Sequence, residues 1–202
     1  MKTTKFLKTT LFAGAMVLLM SFDFPMPFGW FAAGSDPKSY DMGTDQGAGQ
    51  DGKNAATIKS IDKEIKGFGT LMQQCMPGKY LGKRVKMTGY MKTADVQSWA
   101  GFWLRVDQKG SQQPLSFDNM YNGKSNRSIT GTTSWTKYEI VLDVPAEASN
   151  IAYGALLNGT GQIWFDNLSF EIVDNSVPTT GSGPNDATKS TLGEPTNLNF
   201  QK

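Results

Sequence analysis

The sequence predicts an all-β sandwich, and three observations carry that prediction. Short segments alternate apolar and polar side chains, most plainly "KRVKMTGYMKT" and "GFWLRVD". Turn residues separate such segments at Lys109-Gly110, Asn122-Gly123, Pro145 and Asn158-Gly159. No long stretch keeps a helical apolar period, and many short strands without helices pack as sheet on sheet.

Taken in order, residues 1–24 have the pattern of an export signal. Lys2, Lys5 and Lys8 precede the apolar run "LFAGAMVLLMSF". That run is shorter than the ~20 residues of a transmembrane helix. The expected location is therefore periplasmic or extracellular, with no membrane association once the signal is removed.

The globular domain is expected over residues 28–173. Its opening reads as two strands, near Gly29–Ala33 and Ala55–Ile61, joined by a long polar loop. "GFGTLMQQCMP" fits a short helix or a strand, and as a strand it sets Leu71 and Gln73 opposite Met72. In "KRVKMTGYMKT", Val85 and Met87 face one way and Lys86 and Thr88 the other. "GFWLRVD", "LSFDNM", "TKYEIVLDVP", "IAYGALLN" and "QIWFDNLSFEIV" complete the strand set. Tyr138, Ile140, Leu142, Val144, Ile163 and Phe165 alternate towards the core. From Asp174 the chain turns rich in Pro, Gly, Ser and Thr, the composition of a flexible tail over 174–202. Within it Leu198 and Phe200 recur at period two, so residues 196–200 are expected to dock as an edge strand.

Composition excludes several functions. The net charge is +2 with both signs interspersed, which leaves no basic footprint for nucleic acid. There is no histidine, so neither a Ser-His-Asp triad nor imidazole-ligated metal is available. Cys75 is the one cysteine, which removes intrachain disulfides and cysteine-based zinc clusters.

The segment "SWTKYEIVLDVPAEASNIAYGALLNGTGQIWFDNLSFEIV" resembles the closing strands of galactose-binding-like jelly rolls. Trp135 opens a strand as in that fold, Val144-Pro145 ends it, and Trp164, Asp166 and Leu168 match its final W-x-D-x-[VL] strand. "GWF…SYDMG…GKNAATIKS" is similar to its opening. The resemblance implies a jelly-roll β-sandwich, the fold of many carbohydrate-binding modules. "FGTLMQQ", "WAGFWLRVD" and "LSFDNM" are similar to a narrower group of uncharacterised bacterial proteins, some labelled AraC-type regulators. The fold also implies a candidate structural calcium site at Asp166, against the alternative of an aspartate satisfied by its own turn. No other cofactor or metal is expected.

The candidate site lies on "WAGFWLRVDQKG". Phe102, Leu104 and Val106 face one side of this strand, and Trp103, Arg105 and Asp107 the other. A flat ring beside a forked cation and a carboxylate suits a sugar, whose C–H face stacks while its hydroxyls take hydrogen bonds. Gln73, Trp99, Asp118 and Asn119 are the adjacent candidates. The competing account gives Arg105 and Asp107 a surface ion pair and makes Asp118-Asn119 a turn.

The expected function is an exported, non-catalytic module that binds a carbohydrate or another polar small ligand. The alternatives are a structural or protein-interaction domain of the cell envelope, in which "TNLNF" covers Trp103, and a ligand-sensing domain related to transcription regulators. A glycoside hydrolase would need two carboxylates from Asp107, Asp118 and Glu171 facing each other across a cleft.

Overall fold

Twenty-five consecutive residues, Lys83–Asp107, form the strand around which the whole molecule is arranged. The structure is a computed structural model that describes residues 24–121, 123–181 and 193–201. Apart from Phe24, the segment expected to be an export signal, residues 1–24, lies outside the described residues.

Among the described residues nine strands follow one another: β1 (Phe31–Gly34), β2 (Tyr40–Asp45), β3 (Ala55–Ser60), β4 (Phe68–Cys75), β5 (Lys83–Asp107), β6 (Ser116–Asp118), β7 (Ile129–Val144), β8 (Asn150–Asn158) and β9 (Gln162–Val173). All share one hydrogen-bonded network because β5 passes through both layers of the sandwich. Its first half, up to Ala94, pairs with β9, and Lys83–Met91 pairs with Thr136–Val144 of β7. Its second half pairs with β8 over Trp99–Asp107 and with β6 over Leu104–Val106. One layer is therefore β1-β4-β8-β5-β6 and the other β2-β3-β9-β5-β7. The sequence suggests two strands here, and register shifts between Met91 and Ala100 show how one strand serves both layers. Asp95 has φ 52 within that stretch, and such bulges let a strand bend and twist into a second sheet.

One further element differs from the sequence reading, and one that it left open is settled. The stretch between Ala33 and Ala55 is not all loop, because it contains β2, whose Tyr40, Met42 and Thr44 are buried. "FGTLMQQC" is a strand, not a helix, paired residue by residue with β8.

The core lies between the layers. Phe102, Leu104, Val106, Leu71 and Tyr153 project from the first layer to meet Ile58, Met87, Ile140, Leu142, Ile163 and Phe165 from the second. Trp30 enters at one side, 5.6 Å edge-on from Tyr153.

Residues 174–181 are held against the sandwich. Thr180 exchanges backbone and side-chain hydrogen bonds with Val141, and the Arg84 guanidinium donates to the carbonyls of Asn175 and Val177. Residues 193–201 dock too, but as a turn, with φ 47 at Asn197 and 56 at Phe200, rather than as an edge strand. Those left-handed residues break the alternation a strand needs. The docking is nonetheless deep. Phe200 is fully buried against Trp30 and Phe165, and the Leu168 N–H donates to the Leu198 carbonyl. The segment closes the core between β4 and β9, away from Trp103.

Candidate functional site

The outer face of the first layer carries a groove of about 390 Å³. That lies near the lower end of the ~300–1,000 Å³ typical of small-molecule pockets. It crosses the strands from Ala33 and Gly34 on β1, over Phe68, Thr70 and Met72 on β4 and Leu156 on β8, to Trp99, Trp103 and Arg105 on β5. Phe117 on β6 and Asn119 just beyond it complete the far side.

Strand parity makes this face. Trp103 pairs with Gly154, which pairs in turn with Met72, so three side-chain positions line up across β5, β8 and β4. Glycine in the middle lowers the floor. A Cβ there would lie 2.4 Å from the Leu71 carbonyl oxygen. Trp103, Ala152 and Leu156 form a small apolar cluster of their own, with Phe68, Met72, Trp99 and Phe117 packed on it. Trp103 is 9% exposed, so its ring is a wall seated in this cluster and not a free-standing platform.

The indole N–H of Trp103 donates to Thr70 Oγ1 at 2.8 Å, and that hydroxyl donates to the Ala155 carbonyl at 2.7 Å. Arg105 Nε donates to Asp107 Oδ1 at 2.7 Å, and Asn150 Nδ2 donates to Asp107 Oδ2 at 3.1 Å. Asp107 is 1% exposed, so it acts as a buried anchor that orients the guanidinium rather than as a contact surface. Trp99 stacks on Tyr121, ring centroids 4.8 Å apart and planes 19° from parallel. The loop that carries Asn119 and Tyr121 lies over Gly101, where a Cβ would meet Met120 Cβ at 3.2 Å.

The structure therefore brings Trp103, Arg105, Trp99 and Asn119 to one groove, with Asp107 directly behind Arg105. It separates the other two candidates from them. Gln73 faces the core, because it pairs with Tyr153 on the inward parity of β4. It accepts hydrogen bonds from the Tyr153 hydroxyl and the Thr196 N–H, and it donates to the Thr196 carbonyl. Asp118 also points inward, opposite Leu104. It is fully buried, accepting from the Arg127 guanidinium and, at 2.7 Å, from the Met120 N–H. Asp107 and Asp118 thus sit on opposite faces of the sheet, while Glu171 pairs with Lys86 on the second layer. No pair among these three carboxylates spans a cleft as a glycoside hydrolase requires.

Phe68, Thr70, Met72, Phe117, Leu156 and Asn150 contribute to the site without any signal in the sequence. Phe117 comes from the strand that follows β5 and the others from strands distant in the chain, and pairing register aligns them with Trp103.

Asp166, the candidate calcium position, is held by N–H donors. Its oxygens accept from the Asn167 N–H at 2.7 Å and from Asn167 Nδ2, and the Gln50 N–H is a further donor. Burial, the dominant effect, pushes its carboxyl above the usual range. N–H donors and a desolvated carboxylate are the surroundings of a satisfied turn aspartate. Among the described residues, no group of three or more acidic or thiol side chains could hold a metal.

On the second layer's outer face, Lys92 Nζ lies 5.2 Å from the Trp135 ring centroid and 4.7 Å from that of Trp164. The Trp164 indole donates to Asp45 Oδ2 at 2.6 Å. Both rings thus make cation–π contacts with Lys92, and Trp164 is also hydrogen-bonded.

No protein-family model matches the chain. In sequence it is 43% identical over 175 residues to a Bacillus subtilis protein named "uncharacterized HTH-type transcriptional regulator YbfP", a match that covers 86% of this chain. The chain spans about 57% of the length of that curated relative. In structure it is similar to the CBM22-1 xylan-binding domain of Paenibacillus barcinonensis Xyn10C, with TM-score 0.52 and 13% identity. That alignment covers 75% of this chain and 90% of the module. The CBM22-1–GH10 modules of Clostridium thermocellum endo-1,4-β-D-xylanase 10B align with TM-score 0.51 and 13% identity over 73% of this chain and 27% of theirs. The enzymatically active domain of bacteriophage CBA120 tailspike protein 4 aligns with TM-score 0.52 and 12% identity over 72% of this chain and 20% of its own. Likenesses at such low identity establish architecture, and a jelly roll hosts many activities. The chain is a jelly-roll β-sandwich, a fold it shares with xylan-binding modules.

Proposed function

We propose that the chain is an exported, non-catalytic binding module that takes a carbohydrate in the groove over β4, β8 and β5. The observation that carries this reading is the convergence of Trp99 and Trp103 with Arg105 and Asn119 at one side of a preformed groove. The Trp99 ring supplies stacking area for the C–H face of a sugar beside the Trp103 wall, and the guanidinium and amide supply directed hydrogen bonds. The buried Asp107–Asn150 pair behind Arg105 supports the reading, since it holds the fork in one orientation before a ligand arrives. The xylan-binding function of structural neighbours supports it further. The placement of Asp107 and Asp118 on opposite faces favours binding without turnover. Export rests on the lysines and apolar run of residues 1–24.

Calorimetric titration with soluble xylan and a panel of other polysaccharides tests the reading, with Trp99→Ala and Asn119→Ala alongside wild type. Saturable binding to at least one glycan, weakened about tenfold in either variant with an unchanged circular dichroism spectrum, is the expected result. No binding to any glycan would instead leave a structural or protein-interaction domain.

A second reading follows from the sequence relative, whose name is that of a transcription regulator. There the groove would receive an effector and the domain would report its occupancy. Among the described residues there is no α-helix, so any DNA-binding element lies elsewhere. Fractionation of cells that express the full chain separates the two: recovery from the cytoplasm supports sensing, and recovery outside it supports export.

A further inference from the structure

The groove is polar at one side only. Arg105 and Asn119 sit at the β5–β6 side, whereas Ala33, Phe68, Met72 and Leu156 line the rest. Between them, the floor offers a ligand hydroxyl no donor and a single acceptor lone pair, on Thr70 Oγ1. The Trp103 N–H is bound to Thr70 Oγ1, and the Thr70 proton to the Ala155 carbonyl. The apolar stretch reaches from β8 across β4 to β1, two strand spacings or about 10 Å.

This asymmetry discriminates among ligands. A sugar ring held at Arg105 and Asn119 lies beside the polar side chains of the groove. A second sugar continuing towards β1 would exchange water for Met72, Phe68 and Leu156, leaving hydroxyls desolvated without partners. A hydrocarbon in the same place loses nothing and gains about fourfold in affinity for each methylene buried. Charge agrees, since Arg105 is the one charged side chain lining the groove and Asp107 neutralises it from behind.

We infer that the ligand is a glycoside bearing an apolar alkyl or aryl group, its sugar at Arg105 and Asn119 and its apolar group over Met72, Phe68 and Leu156. This rests on the carbohydrate reading above and narrows it from glycans at large to amphipathic glycosides.

The test compares methyl, hexyl and phenyl β-D-xylosides and β-D-glucosides with xylohexaose, by calorimetry on the full chain. At least tenfold tighter binding of a hexyl or phenyl glycoside over its methyl counterpart is expected. Preference for hexyl identifies a lipid-like substituent, and preference for phenyl an aromatic one. Met72→Gln and Ala33→Ser, both at solvent-accessible positions, should reduce that preference below threefold. Equal affinity for all three glycosides, or tighter binding of xylohexaose, overturns the inference and leaves the carbohydrate reading standing. A preference that survives both substitutions overturns the placement. Failure of every saccharide and glycoside to bind overturns both.

Discussion

The indole Nε1 of Trp103 on β5 donates to the hydroxyl of Thr70 on β4, 2.8 Å away across the intervening strand β8. A bond that spans a neighbouring strand requires small residues beneath it, and β8 supplies Gly154 opposite both Trp103 and Met72. Trp103 is thereby fixed in orientation before any ligand arrives. The wall of the groove is a product of three strands, not of the one that carries the tryptophan.

Thr70→Val should therefore act on the groove as well as on stability. The substitution keeps the shape but leaves the buried indole N–H without a partner, at a cost of about 1–3 kcal/mol. Urea unfolding monitored by circular dichroism measures the loss. Near-ultraviolet dichroism of the native state should change as well, because the ring is no longer pinned.

Gly154→Ala should be more damaging than a surface substitution of its size. The new Cβ would lie 2.4 Å from the Leu71 carbonyl and 2.9 Å from Met72 Cα, both backbone atoms that cannot turn aside. Prising β4 from β8 to admit it is expected to cost about 1–3 kcal/mol. The same denaturation experiment should show a lowered midpoint, and any ligand affinity should fall along with it.

Phe200→Ala should destabilise the whole sandwich although it lies at the end of the chain. The ring is fully buried, 5.1 Å from Trp30 and 5.2 Å from Phe165. Emptying such a site typically costs about 3–5 kcal/mol. Thermal unfolding should show a single transition at lower temperature, whereas a detachable tail would leave the midpoint unmoved.

The Cys75 thiol should resist thiol reagents in the folded protein. Burial chiefly, with Glu194 as a lesser influence, pushes its pKa up to about 12. An unfolded thiol ionises near about 8.5, so the reactive thiolate is scarce in the native state. A thiol-specific chromogenic reagent at pH 8 should report no reaction until denaturant is added. The sign of the linkage is equally definite. The native state favours the neutral thiol, a contribution fully present below about pH 8.5 and lost as pH rises towards about 12. Cys75→Ala should flatten that alkaline fall in stability.

Local pattern determined much of this protein. Period-two alternation marks Val85 and Met87, Phe102 and Leu104, and Ile140 and Leu142 as core, because a strand's side-chain parity is written in the chain itself. The same parity assigns Trp103, Arg105 and Asp107 to one outer face. Tertiary structure decided what that face became. Gln73 and Asp118 are polar residues on strands near Trp103, yet register turns both inward, where Tyr153, Thr196 and Arg127 satisfy them. Phe68, Met72 and Leu156 look like ordinary strand residues until β4 and β8 align them into a groove. Pairing partners are chosen by contacts between residues far apart in the chain, and a one-residue slip would exchange the two faces. Alternation along a strand is local, whereas the neighbours of that strand are fixed by burial of the whole core.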